Sequence, residues 1–185
     1  MAGVGGIAAI MASWGIGLFE VKEKPLPPNL PVGQSVAAGE WCLRFDRASL
    51  SDHLPNGDVI QLGRKAIVLE LQATNRTART SSSFLQSIKL ATPVSGVDAW
   101  PTAYLLRDRA TTTELQPGLP EQIALVWTYP AAEHATAGVR FDVAAKNFKP
   151  FDNLYAQPIW TAPHPVGVVE LPLAASRPDV SAGDL

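Results

Sequence analysis

From Gly39 onward the apolar residues of this chain recur at every second position, and no later stretch repeats at helical spacing. That period sends successive side chains to opposite faces of an extended backbone, so the fold must be built from half-buried strands. The clearest case is RKAIVLELQATN (64–75), where Ile67, Leu69, Leu71 and Ala73 alternate against Val68, Glu70 and Gln72. GEWCLRFDRASL (39–50) sets Trp41, Leu43 and Phe45 against Cys42, Arg44 and Asp46 in the same way. Between these two runs SDHLPNGDV (51–59) is turn chemistry centred on Asn56-Gly57.

Further pieces follow at spacings of ten to twenty residues. SFLQSIKLATP (83–93) reads as a short strand, and VDAWPTAYLLRD (97–108) as an edge or interrupted strand, because Pro101 cannot donate to a ladder. A Pro117-Gly118 turn leads into a strand with Ile123, Leu125 and Trp127 on one face. Val139, Phe141, Val143 and Ala145 mark the next, and YAQPIW (155–160) and VGVVELPL (166–173) supply the last. Seven or more strands without intervening helices predict an all-β fold, an antiparallel β-sandwich.

The first nineteen residues are different in kind. They hold no charged side chain, and charge begins abruptly at Glu20, Lys22, Glu23 and Lys24. A helix over Ala2–Phe19 would be about 27 Å long, close to the hydrocarbon thickness of a bilayer. The glycines weaken a water-exposed helix but suit close packing of helices in lipid, where Gly3, Gly6, Ala9 and Gly15 would form a smooth strip against a partner helix. A cleaved signal peptide and a buried core helix are the alternatives. The absence of a basic start and the poor cleavage site weigh against the first, and the glycines against the second.

The chain therefore divides into a transmembrane anchor with a charged collar (1–24), a Pro-rich stalk (25–35), a β-sandwich (36–173) and a polar C-terminal tail (174–185). The stalk is expected from four prolines, Pro25, Pro27, Pro28 and Pro31, which favour an extended, semi-rigid chain. Charged residues are only 17% of the chain and the net charge is −2, which leaves no basic field for nucleic acid. One cysteine, Cys42, excludes an internal disulfide and a cysteine-based zinc site.

The strand LELQATNRT (69–77), the LQPG turn (115–118) and the apolar run ALVWTYP (124–130) together resemble a bacterial envelope family. Its members are immunoglobulin-like β-sandwich domains related to a mycobacterial immunoprotective extracellular antigen, often tethered by one N-terminal helix. The likeness covers Val36 to Leu173. It implies tethering at the inner membrane, with the domain facing the periplasm or cell exterior, and it brings no catalytic residue or cofactor. Lys22 and Lys24 on the domain side of the anchor point mildly the other way, although large domains translocate regardless of nearby charge.

Chemistry is sparse. His53, His134 and His164 fall in expected loops, and no serine lies in a Gly-x-Ser-x-Gly setting. Asp52, His53, Asn56 and Asp58 could be read as a metal turn, but the plainer account is a turn that uses Asn-Gly for its backbone. Asn75-Arg76-Thr77 matches a glycosylation acceptor. No catalytic, cofactor-binding or metal residue is expected. Trp100, Tyr104, Tyr155 and Trp160, set among prolines with Phe151 in similar company, are the candidate partner contacts, with capping of the sandwich ends as the alternative. The expectation is a non-catalytic accessory subunit whose partners are an integral membrane protein complex and the bilayer. A tethered binding module for a small ligand, sugar or metal ion is the second reading.

Overall fold

A computed structural model describes residues 26–133, 137–154 and 156–175. Eleven strands are formed among them, together with one helical turn. In chain order they are β1 (Ser35–Ala38), β2 (Trp41–Ser51), β3 (Arg64–Asn75), α1 (Phe84–Ser87), β4 (Ile88–Leu90), β5 (Thr102–Leu105), β6 (Thr111–Thr112), β7 (Pro120–Pro130), β8 (Gly138–Ala145), β9 (Phe148–Lys149), β10 (Ile159–Trp160) and β11 (His164–Ala175).

Nine of these strands form one curled sheet in the order β4-β8-β11-β2-β3-β7-β5-β6, with β1 beside β2. The curl makes two layers, a large one of β2, β3, β7 and β5 and a small one of β4, β8 and β11. β11 runs antiparallel to β8 over most of its length, then its last residues, Leu173–Ala175, pair in parallel with Ala48–Leu50 of β2. Side chains from both layers meet in one core, where Trp41, Phe45, Leu69 and Trp127 face Ile88, Phe141 and Val169. The rings of Trp127 and Phe141 lie 5.5 Å apart across it. The expected β-sandwich is thus present, with one parallel pairing where an antiparallel fold was expected.

Two departures from the simple alternation have physical causes. In β2 the inward face passes from Trp41, Leu43 and Phe45 to Ala48. A register shift between Phe45 and Arg47 moves Arg47 outward, where it pairs with Glu70 at 2.7 Å. In β3 the run Ala66 to Leu69 is buried on both faces. Ile67 and Leu69 enter the main core, while Ala66 and Val68 join Ile60, Tyr104, Ala124 and Val126 in a second cluster. Residues 52–60 fold back over this cluster through hydrogen bonds such as Ile60 N to Asp52 O.

The expected strand over 83–93 begins only at Ile88. Phe84–Ser87 is a helical turn that drops Phe84 edge-on against Trp41, with ring centroids 5.4 Å apart. The Pro-rich segment is not wholly a free stalk either. Asn29 bridges Val168 in parallel, Leu30 N donates to Val168 O, and Val168 N donates to Pro28 O, so this part is sewn to β11. Leu30 packs on the main core.

Candidate interaction surface

Between β8 and β11 the chain leaves the sandwich as an arm. β9 and β10 pair in antiparallel register, Trp160 opposite Phe148 and Ile159 opposite Lys149. The rings of Phe148 and Trp160 meet at 5.2 Å, tilted by 55°. At the base Thr161 N donates to Asn147 O, and Asn147 N to Thr161 Oγ1.

The tip is organised by Asp152, which is buried. Its carboxylate accepts from Leu154 N at 2.9 Å and from Lys149 Nζ at 2.8 Å. Its own N–H donates to Gln157 O and its carbonyl accepts from Ala156 N. Ala156 takes the left-handed conformation (φ 52°) that lets the tip close. These polar bonds face inward, and the apolar side chains face water: Phe148 is 55% exposed, Phe151 58% and Leu154 80%. Tyr155 lies outside the described residues.

A closed polar cluster fixes the arm's base. Glu40 is buried, accepts a hydrogen bond from Ser83 Oγ, and meets Lys146 Nζ at 3.5 Å. Trp41 Nε1 donates to Ser83 Oγ at 2.8 Å. The adjoining Gly39 has φ 66°, and a Cβ there would collide with Lys146 O. Ser83 is buried and already both donates and accepts, so the cluster serves as a fastening and presents no free nucleophile.

Trp100 is 59% exposed and lines a cleft of about 280 Å³ on the small layer's side of the molecule. The cleft also holds Gln86, Pro27 and Pro163, and the cross-strand partners Lys89 and Asp142. Trp100 and the arm are thus neighbours through Pro163, which closes the arm's return to β11.

Tyr104 is a correction. It is 5% exposed and belongs to the second cluster on the outer face of the large layer. Burial, and secondarily the charge of Asp58, hold its phenol above the usual range. Its proline-rich setting suggested exposure, but the sheet register sets it opposite Ala124, beneath the 52–60 loop. Asn75, of the glycosylation pattern, is fully buried. Its side-chain amide donates to Arg79 O and Leu115 O, and Thr77 N donates to its oxygen, so the amide serves as a loop clamp.

Asn56 and Asp58 hydrogen-bond each other in a turn where Gly57 has φ 92°, which is the plainer of the two readings of that stretch. Among the described residues no group of three His, Cys, Asp or Glu is placed to hold a metal ion. His53 and His164 lie at opposite ends of the sandwich, and His134 lies outside the described residues.

Of the arm's exposed apolar residues, Phe151 is legible in the sequence as an aromatic beside a proline, while Phe148 and Leu154 are not expected as site residues. The arm's signal is two aromatics bracketing Lys149-Pro150, apolar yet out of strand period. Gly3, Gly6, Ala9 and Gly15 lie outside the described residues. No helix among those described is long and apolar enough to cross a membrane.

No family model matches the chain and no curated protein matches it. A solved structure of an uncharacterized β-sandwich protein from Clostridium difficile 630 is similar at 9% identity, with a TM-score of 0.49. The match covers 80% of this chain and 97% of that one.

Proposed function

We propose that this chain is a non-catalytic, membrane-tethered immunoglobulin-like domain that serves as an accessory or scaffolding subunit of a larger bacterial membrane complex, on the periplasmic side. Its strand order supports the immunoglobulin-like assignment. β2-β3-β7-β5 on one layer and β4-β8-β11 on the other follow the ABED and CFG order of constant-type domains. Apolar Leu69 on β3 and Phe141 on β8 fill the core between layers that antibody domains cross-link with a disulfide. The uncharged first nineteen residues support the tether, and the relation to the mycobacterial antigen family remains part of the same proposal.

The observation that carries the role is the cleft at Trp100. A tryptophan more than half exposed among prolines, with a charged pair at its rim, is the composition of a binding hot spot. In mild detergent extracts the native chain is expected to travel with one stoichiometric partner, and Trp100→Ala to weaken that association. Migration of the wild type alone, near its own 19.7 kDa plus detergent, would sink the proposal.

The same cleft favours a second reading, capture of a small polar ligand by Trp100, Gln86, Lys89 and Asp142. Its volume lies just below the range of pockets for drug-sized molecules. Calorimetric titration of the full chain with mono- and disaccharides separates the two, since the subunit reading expects no heat of binding.

A further inference from the structure

The parallel bridge between Asn29 and Val168 fixes where the chain enters the sandwich. Parallel strands run in one direction, so going back from Asn29 to Leu26 retraces β11 from Val168 toward its first residue, His164. His164 is also where the arm returns. Pro27 and Pro163 line the same cleft, which brings entry and arm to one end of the molecule.

Other features of that end point the same way. β3 finishes there at Asn75, because its register sets Asn75 opposite Trp41, next to the Glu40–Lys146 pair. The loop that follows exposes Arg76 and Arg79, which make no ion pair among the described residues. The turn over 52–63, with exposed Val59 and Leu62, lies at the opposite end, since β2 runs parallel to the close of β11.

We infer that the arm is a second membrane contact: Phe148, Phe151 and Leu154 enter the surface of the bilayer in which residues 1–19 are held, with Arg76 and Arg79 over anionic headgroups. This rests on the tether proposed above. Aromatic side chains favour the membrane interface, and arginines near it are drawn to anionic lipid. The reach is adequate. A fully stretched chain over 20–27 spans at most about 28 Å, and the arm over 147–154 at most about 26 Å. A tether entering at the arm's own end keeps the tip within reach of the surface. An exposed apolar tip stiffened by Asp152 loses little freedom on insertion.

The test uses the full chain with Cys42→Ser and a single new cysteine, Leu154→Cys or Leu62→Cys, labelled with an environment-sensitive nitrobenzoxadiazole dye. Each is reconstituted into vesicles of phosphatidylethanolamine and phosphatidylglycerol, with or without lipids brominated near the glycerol end of the acyl chain. The label at 154 should shift to the blue and be quenched by bromine, the label at 62 should do neither, and Phe151→Asp should abolish the quenching at 154. If both labels stay unquenched on a chain that floats with the vesicles, the arm contact is wrong and the tether stands. A chain that fails to float overturns the tether, and the arm contact with it. A blue shift at 154 that bromine does not quench assigns the arm to a protein surface and overturns the inference.

Discussion

Two long connections leave the sandwich at opposite ends, and only one of them gives apolar residues to the core. Residues 52–63, between β2 and β3, fold back on the large layer and place Ile60 over Val68, Ala124 and Tyr104. Residues 146–163, between β8 and β11, stand away on a hairpin and leave Phe148, Phe151 and Leu154 in water. The first connection extends the hydrophobic core through the sheet. The second takes its order from polar bonds to Asp152 and adds little to the core. Ile60 and Leu54 of the first loop are absorbed by the fold while Val59 and Leu62 beside them stay exposed, whereas the arm contributes none of its three apolar side chains to either cluster.

The comparison breaks first at Tyr104. If the 52–63 loop and the large layer share a real second core, Tyr104→Ala leaves a cavity and costs about 3 kcal/mol of stability. Urea unfolding of the full chain in detergent measures this. A loss below about 0.5 kcal/mol would mean that the loop covers the sheet without packing on it. The glycines that serve the two connections give a second, smaller contrast. Gly39→Ala forces a Cβ against Lys146 O as well as a positive φ, and should cost about 2 kcal/mol. Gly57→Ala meets only the φ cost, since nothing lies within 4 Å of its Cβ position, and should lose about 1 kcal/mol. Equal losses would deny that the arm's base is tightly fastened.

The two ends were not equally legible in the sequence. Period-two runs placed Leu69, Trp127 and Phe141 on the buried face, because a strand's side-chain alternation is a local property. The bulge at Phe45–Arg47 is not local in this sense: burying Arg47 would have been so costly that the backbone adds a residue instead. Tyr104 misled for a related reason. Prolines and short strands look like an exposed edge from sequence, but β6 pairs beyond β5, and the 52–60 loop closes over it. Only the three-dimensional return of a loop distant in sequence could reveal that. Trp100 and Trp160 were singled out, yet their separation into a cleft and an arm depends on how β5 and β11 are ordered in the sheet. The Asp152 scaffold has no sequence signature beyond a carboxylate in a loop.

Alkaline pH bears on the first connection through two buried tyrosines. Tyr104 and Tyr129 both have phenols held above their usual range, first by burial and then by Asp58 and Asp52 of that loop. A raised folded-state pKa means that the folded protein keeps the proton more tightly than the unfolded chain. The contribution is therefore complete below the ordinary tyrosine range, near 10, and is lost as pH rises through the higher folded-state values. Thermal unfolding followed upward from pH 9 should fall more steeply than in Tyr104→Phe, in which one of the two phenols is absent. Identical slopes would show that Tyr104 ionises as freely as an exposed phenol, contrary to its burial.

The smallest stability effect belongs to the arm and separates display from core most sharply. Phe151→Ser and Leu154→Ser remove apolar groups that touch mainly water, so each should change unfolding free energy by no more than about 0.5 kcal/mol. The same deletions at Ile67 or Leu125, fully buried in the main core, would cost several kcal/mol. Stability that is indifferent to Phe151 and Leu154, beside membrane quenching that depends on Phe151, would mean that these side chains are kept for what they touch outside the domain. A loss of about 2 kcal/mol or more from either arm substitution would reverse that conclusion. The arm would then be packed as tightly as the 52–63 loop, and its apolar residues would belong to folding.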